Sequence, residues 1–153
     1  MNGYEVLLDE AYLEGLDVKE KPLLSSDGRI KDNRIAIRKT INTSIEKSCV
    51  LAEEIGHYHT SVGDITNLTE VQNRKQERQA RIWAYNKKLG LKSLIKAYKH
   101  GCINRCETAE FLDVTEEFLI EAIQYYREKY GVNVVIDNHT ICFIPYLTIT
   151  EQF

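Results

Sequence analysis

Cys49-Val50-Leu51-Ala52-Glu53-Glu54-Ile55-Gly56-His57-Tyr58-His59 is the stretch from which the rest of the chain is best read. From about Ser44 to His59 the apolar positions recur at helical spacing, and Thr43 or Ser44 can cap the helix ahead of Glu46. On a wheel that turns about 100° per residue, His57 falls about 40° from Glu53, while Leu51, Ile55 and Tyr58 lie at about 140–200°. Two metal-capable side chains therefore share one face, opposite an apolar stripe.

Side chains four apart on a helix stand one above the other and can close on a single ion. Glu54 follows the first of the pair. In H-E-x-x-H metallopeptidases the glutamate at that place takes a proton from the attacking water and passes it to the leaving amine. Here the motif is E-E-x-x-H, with Glu53 where the first histidine would stand. A solvated helix face gives the same wheel, so a third ligand is needed. Glu77 is the candidate, in Gln76-Glu77-Arg78-Gln79-Ala80-Arg81-Ile82-Trp83-Ala84 on the next helix. Ala80 and Ala84 share its face, and with Gly56 they would let the two helices approach closely. An ion pair of Glu77 with Arg78 or Arg81 is the alternative.

Working outward, residues 4–20 suit an amphipathic helix ended by Pro22, and residues 23–41 read as a small β element centred on Arg34-Ile35-Ala36-Ile37-Arg38. Further helices are predicted over about Thr69–Leu89, Lys92–Lys99, Cys106–Leu112 and Thr115–Tyr130, with Gly90 and Gly131 as stops. Val132–Asp137 and Ile141–Tyr146 then form a hairpin through Asn138-His139-Thr140. The sum is a mainly helical α+β chain, read as a single domain over residues 1–153.

Composition narrows the function classes. With 43% apolar and 28% charged residues the chain is an ordinary folded protein. No apolar run is long enough to span a bilayer, and the acidic start does not read as a secretion signal, so a cytoplasmic protein without membrane attachment is expected. Cys49, Cys102, Cys106 and Cys142 lack C-x-x-C spacing, which argues against a zinc ribbon and for free thiols. Residues 1–20 hold six carboxylates and one lysine, whereas residues 70–100 hold nine Lys/Arg and two Glu. The basic stretch could meet nucleic acid or an acidic protein partner, but such runs are most often solvated helix faces.

LAEEIGHYHT, then SVGDI, then NRKQERQARIWAY together resemble the ImmA/IrrE family of metallo-endopeptidases, in the small form found in phages and integrative elements of Gram-positive bacteria. AYKHGCINRCETAEFLDVTEEFLIEAI and YGVNVVIDNHTICFIPYL extend the likeness over most of the chain. The resemblance implies a zincin-like α+β fold, one divalent metal (zinc ahead of manganese), and cleavage of a partner repressor. It makes His57 the second motif histidine, Glu54 the general base and Glu77 the downstream acidic ligand, with Glu53 departing from the usual histidine. One histidine and two glutamates form a harder site that favours oxygen-loving metals. His59 and Asp64 are alternative ligands, and His59 can join only if the helix ends near Tyr58.

Residues 108–122, TAEFLDVTEEFLIEA, carry the cadence of a helix-turn-helix. Its second helix would offer Glu116, Glu117 and Glu121 to phosphate, so the element reads as packing or protein docking, and direct DNA binding by the chain is not expected. The partner implied by the resemblance is a helix-turn-helix repressor as substrate, and the alternative is a non-catalytic module with a degenerate metal site that binds such a repressor or its DNA.

Overall fold

The computed structural model describes residues 2–61 and 69–152. It is α+β and mainly helical, and it falls into two units, Met1–Lys87 and Lys88–Phe153.

In the first unit, helix α1 (Gly3–Leu13) is capped by Asn2, whose side chain accepts the Glu5 N–H. The helix expected to reach residue 20 stops at Leu13, because Gly15 takes a positive φ of 83°. Strand β1 (Asp17–Lys21) comes next, then β2 (Gly28–Lys31) and β3 (Arg34–Arg38). The sheet order is β1-β3-β2, with β1 parallel and β2 antiparallel to β3. Asp32, at φ 55°, supplies the left-handed residue of the tight β2–β3 turn. Ile35 and Ile37 are buried toward helix α2 (Ser44–Thr60), as their alternation predicts.

Thr43 caps α2 by accepting the Glu46 N–H at 3.1 Å, which settles the choice between Thr43 and Ser44. The helix buries Leu51, Ala52 and Ile55 on one stripe. Helix α3 (Glu70–Lys88) crosses it at Gly56, where an added Cβ would collide with the Ala80 carbonyl oxygen. Ala80 and Ala84 are fully buried. Small residues on both helices thus set the close approach that the sequence pattern predicts.

The second unit holds α4 (Leu91–His100), α5 (Arg105–Leu112) and α6 (Glu116–Tyr130). Asp113 ends α5 in a left-handed conformation, Val114 is buried, and Thr115 caps α6. The helix-turn-helix cadence is therefore a real helix pair. The C-terminal hairpin pairs β4 (Asn133–Ile136) with β5 (His139–Cys142) around a two-residue Asp137-Asn138 turn, one step earlier than expected. A third strand, β6 (Thr148–Glu151), adds to β5. All four cysteines are free thiols. Among the described residues no helix is long and apolar enough to cross a membrane.

Candidate metal centre

The face of α2 opposite its apolar stripe meets α3 just beside the Gly56–Ala80 crossing. His57 Nε2 lies 3.4 Å from Glu77 Oε1, with the imidazole largely shielded and the carboxylate half exposed. This contact joins the two ligand positions that sequence spacing assigns to different helices. Glu53 sits one turn earlier on α2, and its Oε1 accepts a hydrogen bond from Arg81 Nε at 3.1 Å. Arg81 lies four residues beyond Glu77 on α3, so the same helix face supplies an anion to His57 and a cation to Glu53. Arg81 is thus placed against Glu53.

Glu54 points under the sheet. A Cβ added at Gly28 of β2 would stand 2.9 Å from Glu54 Oε1 and 2.8 Å from Val50 Cγ1, so only glycine leaves room for the carboxyl at that strand position. Burial pushes the Glu54 carboxyl up from 4.5 to about 8, and the negative charges of Glu53 and then Glu77 add to the effect. A carboxylic acid raised to that degree beside two other carboxylates and an imidazole marks a place short of positive charge.

His59 goes elsewhere. The helix continues through Thr60, and His59 Nε2 pairs with Glu14 Oε2 at 2.8 Å while its ring stacks on Trp83 at 4.9 Å between centroids. It pins α2 to α1 and α3, away from the His57 face. Asp64 lies outside the described residues.

The donor chemistry suits a divalent cation. His57 and Glu77 stand in contact, and the Glu54 carboxyl, raised first by burial and then by the charges of Glu53 and Glu77, lies near enough to feel both glutamates. Among the described residues no three His, Cys, Asp or Glu side chains already enclose an ion-sized space, and Glu53 Oε1 is turned to the Arg81 guanidinium. Nothing in the five-residue motif signals that ion pair. The clue available in sequence was the i, i+4 spacing of Glu77 and Arg81.

Two packed helices thus carry E-E-x-x-H and a downstream glutamate, with a sheet over the first of them. The chain belongs to the Peptidase_M78 family, the IrrE N-terminal-like domain, whose model matches residues 13–124. The match covers α2, α3 and the helix-turn-helix-like pair, in agreement with the ImmA/IrrE resemblance of the sequence, and it places the chain in a family of metallopeptidases. No curated protein matches the chain significantly.

Proposed function

We propose that this chain is a cytoplasmic metal-dependent endopeptidase that cleaves a repressor-type regulatory protein of a mobile element. The observation that carries the reading is the convergence of His57 and Glu77 at 3.4 Å beside a half-buried Glu54 whose carboxyl burial pushes up toward neutral pH. His57, Glu77 and Glu53 would hold one divalent ion, zinc ahead of manganese. When bound, such an ion polarises the scissile carbonyl and acidifies water.

The chain's own residues supply the rest. Glu54 accepts the proton of the attacking water and delivers it to the leaving nitrogen, a task that calls for a carboxyl whose proton affinity lies near neutral. β2 is an edge strand that packs on α2 at Gly28, so its outer edge offers backbone N–H and C=O groups to an extended substrate segment beside Glu54. A cleaved peptide laid there would put its carbonyl next to the acid that protonates its amine.

The Glu53–Arg81 pair favours one second reading: a non-catalytic module in which a guanidinium takes the charge-compensating role of the ion, and which binds a repressor without cutting it. Purified chain incubated with the repressor encoded beside its gene, with added zinc or manganese, separates the two. A shortened repressor is expected. An intact repressor held in a stable complex supports the second reading, and an intact, unbound repressor removes both.

A further inference from the structure

The two faces of the β1-β3-β2 sheet differ in kind. One buries Ile35 and Ile37 and holds Glu20, which pairs with Lys47 of α2 at 2.6 Å. Register fixes what the other face carries, because Arg29 stands opposite Ala36 and Lys31 opposite Arg34, while Lys19 stands opposite Ala36 on the other side. Lys19, Lys21, Arg29, Lys31 and Arg34 therefore project together around a shallow depression of about 280 Å3 floored by Ala36. All five are exposed. Asp17 lies among them, 3.8 Å from Lys19, and Arg38, which register puts on the same face opposite Lys21, is paired with Asp27. Lys21, Arg29, Lys31 and Arg34 have no ion pair among the described residues. In a chain of net charge −3, this is a concentrated cationic surface that the fold leaves uncompensated.

We propose that this outer sheet face binds the phosphate backbone of duplex nucleic acid. Lys19 and Lys21 on β1, and Arg29 and Lys31 on β2, each stand about 6.6–6.8 Å apart along their strand, and Arg34 of β3 lies beside Lys31 at about 4.8 Å, so two cationic rows flank Ala36 and match a ligand of regularly repeated anions. No aromatic side chain lies on the face, so it offers phosphate contact without the stacking that single strands use. It also has no large apolar side chain to enter a bilayer, and its shallow depression is ringed by cations and suits an anion better than a peptide side chain. The acidity of residues 108–122 argues against DNA at that element and has no bearing here. The proposal does not depend on the peptidase reading. For an enzyme acting on a DNA-bound regulator, it would bring the enzyme to the substrate's own lattice.

The test uses the full chain and a fluorescein-labelled random-sequence DNA duplex of about 20 base pairs, with anisotropy read as salt rises. Four to five phosphate contacts predict a log–log slope of about −4, and so an affinity loss of about 100-fold or more between about 50 and 200 mM salt. The double variant Arg29→Gln/Lys31→Gln should lower the slope by about 2. Arg29→Lys/Arg34→Lys, which keeps the charges, should retain it, and Lys92→Gln/Lys96→Gln on α4 should change nothing. Thermal melts confirm that each variant folds. The proposal is overturned by absence of binding at about 50 mM salt, by a Gln variant that binds like the parent, or by loss of the slope in the α4 variant. It is equally overturned if phosphatidylserine vesicles or poly-glutamate compete as well as unlabelled duplex.

Discussion

Glu54→Gln separates the chemistry of the centre from its stability, and the structure gives the sign. The folded value of about 8 lies above the ordinary 4.5, so between those limits the folded metal-free chain holds a proton that the unfolded chain releases. The stability tied to that proton is fully present below about pH 4.5 and is lost as pH rises through about 8. At about 1.4 kcal/mol for each tenfold change in proton affinity, the upper bound is about 5 kcal/mol. Glu54 is half-buried rather than sealed, and water reaching the carboxyl reduces the expected cost to about 2 kcal/mol. Glutamine has the shape of the protonated acid and cannot ionise. In the presence of chelator, the variant should therefore match the parent near pH 4.5 and melt about 4–8 °C higher near pH 8.5, taking about 2–4 °C per kcal/mol for a chain of this size. With metal and repressor present it should cleave nothing. Parallel melting curves for the two proteins across that pH range would refute the burial argument, and undiminished cleavage would remove Glu54 as the base.

Three further outcomes rest on the packing. Gly56→Ala places a methyl group on the Ala80 carbonyl, which as backbone cannot swing aside; the strain exceeds the helix-propensity gain of about 1 kcal/mol, so a net loss of about 1–3 kcal/mol is expected by chemical denaturation, together with weaker divalent-ion binding as the two helices part. Tyr126→Phe removes the hydroxyl that accepts the Gly90 N–H at 3.1 Å, and should cost about 1–2 kcal/mol through a lower denaturation midpoint at unchanged slope; no shift would mean that the amide finds another partner. Arg81→Gln breaks an ion pair whose arginine is 54% exposed, so the melting point should move by less than about 1 kcal/mol equivalent, while zinc or manganese affinity measured by calorimetry rises about tenfold as Glu53 loses its competing cation. Unchanged affinity would take Glu53 out of the ligand set.

The parts of this molecule that local chemistry dictates are the parts its sequence discloses. Thr43 capping Glu46, the alternation of Ile35 and Ile37, and the match of Gly56 to Ala80 each depend on residues close in sequence or on one repeated spacing, and each is realised. β1 was hidden for the opposite reason. Asp17–Lys21 is almost wholly charged, and it becomes a strand because β3 offers it a parallel edge, a long-range pairing that no periodicity announces. β6 is likewise set by its partner β5. Hiding β1 also hid the cationic sheet face, since Lys19 reads as part of a helix and Lys21 as lying beyond its end until the strands are laid in register with Arg29, Lys31 and Arg34. At the centre the same division holds. Helix geometry carries His57 and Glu77 to each other, because both positions are fixed by the small residues that set the crossing. It does not decide between Glu53 as a ligand and Glu53 as an ion-pair partner, because that rests on a rotamer choice between the built-in Arg81 and an ion that would have to be bound. The strength of Arg81 as a competitor is therefore the quantity on which peptidase and binding module part company.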